Sequence, residues 1–131
     1  MPAKTQVRTA LVASASQAAG ATTRGRLDCT GVDGGILTFR ITNGGTGPTA
    51  QCVARVMIAH RDTAMPAAAA EGPGAADWKT VYEIGGGTAA NGGARGVFRI
   101  DPSIAYVQIE FTGNTGQPVT VECYATTFNY P

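Results

Sequence analysis

The feature that most constrains this chain is a series of short runs of alternating apolar and polar residues, separated by glycine-rich segments. In residues 36–42, the apolar side chains of Leu37, Phe39 and Ile41 alternate with polar ones, and a period of two is that of a half-buried β-strand. Glycines gather between such runs, where turns need backbone conformations that other residues avoid. They cluster in residues 31–35, 44–47, 85–96 and 113–116.

The runs between these clusters predict strands at residues 4–14, 24–30, 36–42, 51–60, 78–84, 97–100, 105–112 and 119–128. Residues 51–60 are almost continuously apolar, which predicts a central strand. The last two runs are separated by GNTGQP, residues 113–118, which predicts a β-hairpin. We expect an all-β fold, an antiparallel β-sandwich or jelly roll of about seven to eight strands with an extended N-terminal arm. The predicted core consists of Leu37, Phe39, Ile41, Val56, Ile58, Val107, Ile109, Phe111, Val119 and Val121.

The length of 131 residues corresponds to one domain. We assign residues 24–131 to the β-sandwich domain, and residues 1–23 either to an arm that docks on a neighbour or to the first strand of the domain's own sheet. Residues 61–77 contain an alanine run, but Pro66 and Pro73 flank it and leave too few residues for a stable helix. This segment is predicted to be a long surface loop.

The composition excludes several classes of partner. Charged residues make up only 15% of the chain, and ten Lys and Arg against nine Asp and Glu give a formal charge of +1. Without a basic excess we do not expect nucleic acid as a partner. No apolar run approaches the ~20 residues of a membrane helix, and the first residues lack the apolar stretch of a signal peptide, so we expect no membrane partner. A surface with few charges suits permanent burial against other proteins.

The residues that most often carry chemistry are few and scattered. Cys29, Cys52 and Cys123 are far apart in sequence, and His60 is the single histidine. A zinc site needs four ligands, usually in close pairs. We therefore expect neither a metal nor a cofactor, and we interpret the cysteines as small buried apolar residues in a reducing compartment.

Two other groups of residues allow a functional interpretation. Glu110 and Glu122 lie on the two arms of the predicted hairpin, where they could face each other as the carboxylates of a glycosidase do. Both alternate with core residues, so we expect them to face solvent near a partner such as Arg99 or Arg40, and we do not expect an enzyme. An aromatic platform for sugars would consist of Trp78, Tyr82, Tyr106, Tyr124 and Tyr130. A strand-start tryptophan more often anchors the core, and we favour that position for Trp78.

From Gly34 onward the chain resembles a group of small structural proteins from tailed bacteriophage particles. The resemblance is carried by four stretches, GGILTFRITNGGTGPT, QCVARVMIAH, DWKTVYEIGG and AYVQIEFTGNTGQPVTVECYATT. It covers roughly three quarters of the chain and is one of pattern rather than of a catalytic motif. Several such proteins are β-sandwich or jelly-roll proteins that decorate or cement the capsid, and others belong to the neck, tail or fibres.

The resemblance implies a non-enzymatic virion structural protein, a capsid decoration (cement) protein that stabilises the major capsid protein lattice. Its partners would be the major capsid protein and copies of itself, as a homodimer or homotrimer, and it would join the virion in the host cytoplasm. The alternatives are a neck, tail or fibre component, or a carbohydrate- or receptor-binding β-sandwich module. Partner contacts are expected at the N-terminal segment and the long loop, namely Lys4, Val7, Arg8, Leu11, Met65 and Pro66.

Overall fold

The computed structural model describes residues 4–60, 63–71 and 78–131, and these residues form two four-stranded antiparallel sheets. The ends of the predicted loop, residues 61–62 and 72–77, and the first three residues of the predicted arm lie outside the described residues. The strands are β1 (Thr5–Gln17), β2 (Thr23–Asp28), β3 (Gly34–Asn43), β4 (Val53–Ala59), β5 (Lys79–Gly85), β6 (Gly93–Ile100), β7 (Tyr106–Thr112) and β8 (Val119–Asn129).

The strand order identifies the type of sandwich. One sheet has the order β1-β8-β3-β6 and is called the β1 sheet below; the other has the order β2-β7-β4-β5 and is called the β2 sheet. Strand β1 therefore pairs with β8, β2 with β7, β3 with β6 and β4 with β5. This nested pairing of eight strands in two sheets is that of a jelly roll. The predicted all-β sandwich is confirmed, and β4 lies in the interior of its sheet as expected.

The core lies between the two sheets because the inward-facing residues of both are apolar. From the β1 sheet it receives Leu37, Phe39 and Ile41, each at most 3% exposed, and from the β2 sheet Phe111 and Val56, both fully buried. The structure also buries Val107, Ile109, Val119 and Val121 in this cluster, whereas Ile58 is only partly buried and packs against its margin.

The predicted hairpin of the last two strands is wrong, since β7 and β8 lie in different sheets. Residues 113–118 cross from one sheet to the other, a distance of about 10 Å that six residues easily span. An alternating strand buries one face in either arrangement, so the hydrophobic pattern alone does not distinguish a hairpin from a crossover.

Strand β1 is the edge strand of its sheet within this chain and carries two irregularities in register. They lie between Ala10 and Val12 and between Val12 and Ala15, where β1 slips against β8. Val12 is buried in the core and Leu11 packs against it. A segment exchanged between copies would make the same pairing with a neighbour's β8, so the choice between arm and first strand stays a prediction.

The glycine-rich segment 85–96 is shorter as a loop than the sequence predicts, because β6 begins at Gly93. Gly96 lies opposite Phe39 in the β3–β6 ladder, and a Cβ atom there would come within 2.4 Å of the Phe39 ring. This glycine serves a close approach inside a strand rather than a turn.

Candidate functional site

The two outer faces of the sandwich are the candidate binding surfaces, and they differ in how far the chain itself covers them. The β2-sheet face consists of the side chains of β2, β7, β4 and β5 that point away from the core. The β1-sheet face consists of the corresponding side chains of β1, β8, β3 and β6.

The β2-sheet face carries a second apolar cluster that the chain covers itself. Its buried members are Met57, Ala59, Trp78 and Tyr106, against which Met65 and Ala69 of the long loop pack. Trp78 is 1% exposed, and its indole Nε1 donates a hydrogen bond of 2.8 Å to the Ala67 carbonyl. The expected burial of Trp78 is confirmed, but its expected position in the sandwich core is wrong, since the indole lies in this outer cluster and not between the sheets.

A bulge in β5 explains that position. Val56 pairs with Tyr82 and Met57 with Thr80, so Val81 is an extra residue. Because of this extra residue, the side chains before Val81 point to the opposite side of the sheet from the one that regular alternation would give. Trp78 therefore points outward, while Ile84 packs against the core between the sheets. Without the bulge, regular alternation along residues 78–84 would place Trp78 and Ile84 on the same face.

Polar contacts fix the long loop on this face. The side-chain amide of Gln108, which is fully buried, donates to the Ala69 carbonyl at 2.8 Å and accepts from the Ala69 N–H at 3.2 Å. Arg26 Nη1 donates to the carbonyl of Pro66 at 2.8 Å. The loop thus packs on the outer side of the β2 sheet and shields its apolar side chains from solvent.

Four charged side chains of the β2-sheet face form ion pairs with each other. Arg24 Nε lies 2.8 Å from Glu110 Oε2, and Arg55 bridges Glu83 at 2.7 Å and Glu110 at 3.3 Å. Desolvation lowers the pKa of the Arg55 guanidinium, but the hydrogen bonds and charges of Glu83 and Glu110 outweigh it and leave that pKa raised. Glu110, expected at the surface, is buried beneath these two arginines.

No such cover lies on the β1-sheet face among the described residues. The ladders place Arg8, Thr126, Ile36 and Arg99 in one cross-strand row, and Ala10, Tyr124, Thr38 and Val97 in the next. Ile36, Val97 and Tyr124 are 42%, 59% and 41% exposed. Apolar and aromatic side chains therefore occupy the middle of an open sheet face.

The following row carries charge. Glu122, Arg40 and Arg95 are neighbours on β8, β3 and β6, and Arg40 Nη2 lies 2.7 Å from Glu122 Oε1. Arg40 is the partner expected for a glutamate at this position. Arg8, Arg95 and Arg99 have no carboxylate partner within the part of the chain that the structure describes.

A groove of about 490 Å³ lies at one end of this face, between its strands and the adjoining turns. Ile36, Arg99 and Phe128 line it, and Lys4 Nζ lies 5.3 Å from the centre of the Phe128 ring. Asp101 also lines it, but the backbone N–H and hydroxyl of Ser103 donate to this carboxylate and lower its pKa.

The residues considered for chemistry are not brought together. Glu110 and Glu122 lie on opposite outer faces, so the expectation that they could face each other is wrong. The three cysteines are free and buried. Among the described residues, no three His, Cys, Asp or Glu side chains gather as a metal site would require, and no helix there is long and apolar enough to span a membrane.

The predicted partner contacts differ in accessibility. Val7 is 55% exposed and Arg8 is also exposed. Leu11 is half-buried against the core, Met65 is half-buried, and Pro66 is buried in the loop that covers the β2 sheet. Contact between these six residues, Lys4 included, and another protein stays a prediction.

Sequence reasoning missed three buried amides that hold the turns together. Asn114 is fully buried and donates to the carbonyls of Gln17, Ala18 and Gln117, while Gln17 Nε2 donates to Asn114 Oδ1 at 2.8 Å. Asn43 likewise donates to carbonyls of Gly86, Gly87 and Ala89. Asparagine beside glycine indicates a turn, but the pattern does not show which distant turn its amide will join.

Comparison with known proteins assigns the chain to no family. No protein-family model and no curated protein matches the chain. The SPBc2 prophage-derived protein YomS is 12% identical with a TM-score of 0.47, over 98% of this chain and 97% of that one. A family 16 carbohydrate-binding module is 9% identical, with a TM-score of 0.45 over 84% of this chain and 71% of that one.

A third similar chain comes from the structure of infectious bursal disease virus, Gx strain. It is 10% identical with a TM-score of 0.48, over 97% of this chain but only 32% of that one. At these identities and TM-scores the likenesses concern the β-sandwich fold alone.

Proposed function

We propose that this protein is a non-enzymatic structural protein of a bacteriophage particle, a capsid decoration protein that binds and stabilises the lattice of the major capsid protein. The observation that carries the proposal is the difference between the two outer faces. The long loop covers the apolar cluster of the β2-sheet face, whereas the β1-sheet face exposes Ile36, Val97 and Tyr124 in neighbouring rows. Exposed apolar side chains grouped in this way mark interaction surfaces.

The chemistry of the β1-sheet face supports a protein partner. Interfaces are enriched in aromatic residues and arginine and depleted in lysine and acidic residues. On this face Tyr124 and four arginines accompany a single glutamate. Tyrosine and arginine are also the residues whose truncation most often costs binding energy.

The size of the face favours a protein that acts in several linked copies. Four strands about 4.8 Å apart and five cross-strand rows about 6.7 Å apart cover roughly 640 Å². A standard interface buries about 800 Å² on each partner, so one copy would bind weakly through this face alone. A homodimer or homotrimer on a repeating lattice gains avidity from several such contacts. The virion, assembled in the host cytoplasm, provides a lattice of this kind.

Mass spectrometry of purified, dissociated particles from the strain that encodes this chain tests the proposal. We expect the protein in a copy number on the scale of the capsid lattice. A few copies per particle would assign it instead to the neck, tail or fibres. Absence from particles would overturn the proposal.

The alternative of a carbohydrate-binding module is weakened by the position of Trp78. The indole is buried and its N–H is engaged, so stacking on a sugar would require the covering loop to move. Tyr124 and Tyr130 remain exposed. Specific signals on a glycan array that disappear in Tyr124→Ala would restore this alternative.

A further inference from the structure

The nearly neutral chain has one cationic face. Outward-facing positions of the β2 sheet carry three arginines and three acidic residues, which are Arg24, Arg26, Arg55, Asp28, Glu83 and Glu110. Outward-facing positions of the β1 sheet carry four arginines and one acidic residue, which are Arg8, Arg40, Arg95, Arg99 and Glu122. At these strand positions the formal charge is therefore zero on the β2-sheet face and +3 on the β1-sheet face, and the latter becomes +2 when Lys4, Asp33 and Asp101 of the groove at its end are included.

The arrangement on the open face is unfavourable for the isolated chain. Arg40 and Arg95 lie directly opposite each other on β3 and β6, and like charges at such positions destabilise a sheet. Glu122 pairs with Arg40 only, and Arg95 is left to solvent. Arg8 and Arg99 lie on the two edge strands of the same face, β1 and β6.

These charges surround the apolar centre of the face. Arg8 and Arg99 lie at the two ends of the row that contains Ile36, and Arg95 is two residues from Val97 on β6. An apolar centre with charged groups at its rim is the usual anatomy of a protein–protein interface. Nucleic acid would need a longer basic track than three unpaired arginines.

We infer that the β1-sheet face binds an acidic surface of a partner protein. Carboxylates of the partner accept hydrogen bonds from Arg8, Arg95 and Arg99, while its apolar side chains cover Ile36, Val97 and Tyr124. The inference rests on the proposed function for the identity of the partner, the capsid lattice, but the chemistry of the face does not depend on it.

Binding of the purified chain to particles from which it has been stripped tests the inference, at NaCl concentrations between about 50 and 300 mM. The test variant is Arg95→Glu/Arg99→Glu, and the milder variant is Arg99→Glu alone. The control is Ala68→Glu/Ala70→Glu, which adds two negative charges at exposed positions of the loop over the β2 sheet. Thermal unfolding of each variant verifies that it folds.

We expect at least about tenfold weaker binding of Arg95→Glu/Arg99→Glu and a smaller loss of affinity for Arg99→Glu. The control Ala68→Glu/Ala70→Glu should bind like the parent chain. Binding of the parent chain should weaken as the salt concentration rises. Unchanged binding of Arg95→Glu/Arg99→Glu, from a chain that mass spectrometry finds in particles, would overturn the inference and leave the proposed function standing. If particles lack the chain, poly-glutamate and duplex DNA serve as probes. Tighter binding of the DNA, lost in the arginine variant, would also overturn the inference.

Discussion

At the scale of single residues, burial decides the chemistry of the cysteines. Desolvation, with a contribution from the charge of Asp28, raises the pKa of Cys29 to about 11, and desolvation raises that of Cys52 to about 11 and that of Cys123 to about 12. Such thiols remain protonated and unreactive at neutral pH. Their role in this molecule is to fill space in the core, as small apolar residues do.

The same shifts predict a loss of stability at high pH. In the unfolded chain the pKa of the thiols is near 9.0, the ordinary value, whereas in the folded chain the pKa of Cys29 and of Cys52 is about 11. Above pH 9 the unfolded state therefore binds fewer protons, and the free energy of unfolding falls by up to about 1.4 kcal/mol per pH unit for each thiol. Urea unfolding at a series of pH values measures the slope.

Cys123→Ala is the matched variant for this measurement. It removes one thiol, so its stability falls less steeply with pH than that of the parent chain, while tyrosine and lysine titrations contribute equally to both. Identical slopes in the two proteins would show that Cys123 is not held protonated in the core.

At the scale of elements, the covering loop and the bulge in β5 determine which aromatic residues are available for binding. Trp78 is the single tryptophan, so its fluorescence reports the loop directly. We expect blue-shifted emission and little quenching by iodide in the native chain, because the indole is 1% exposed. Unfolding in urea should shift the emission to the red. Efficient quenching of the native protein by iodide would show that the loop does not cover the β2 sheet in solution.

The sequence predicts the strands far better than it predicts their partners. Apolar runs between glycine-rich segments predict the strands to within about four residues, because the apolar side chains of a strand lie in the core, as those of Leu37 and Phe39 do. Pairing depends on contacts far apart in the chain, and the last two strands, adjacent in sequence, belong to different sheets. One extra residue, Val81, was enough to turn Trp78 to the opposite face.

The open face could be predicted only in part. A low charge content indicates a surface suited to partners. Arg40, one of the two arginines expected near the glutamates, pairs with Glu122, whereas Arg99 pairs with neither glutamate. A net charge of +1 does not show how the charges are distributed. The row that joins Arg8 on β1 to Arg99 on β6 is built from four strands, so it exists only in the folded sheet.

At the scale of the whole molecule, the two outer faces of the jelly roll differ in burial and charge. The β2-sheet face buries Trp78, Gln108 and Glu110 under the chain's own loop and arginines, which serves the stability of the monomer. The β1-sheet face remains open and cationic, with Tyr124 at its centre. We therefore propose that the protein attaches to its partner through the open β1-sheet face.

A reconstruction of the particle at side-chain resolution tests this account most directly. We predict density for the chain on the capsid lattice, with Ile36, Val97 and Tyr124 against the major capsid protein and carboxylates beside Arg95 and Arg99. Density that places the chain on the particle with the β1-sheet face turned to solvent, and the loop over the β2 sheet against the capsid, would contradict it.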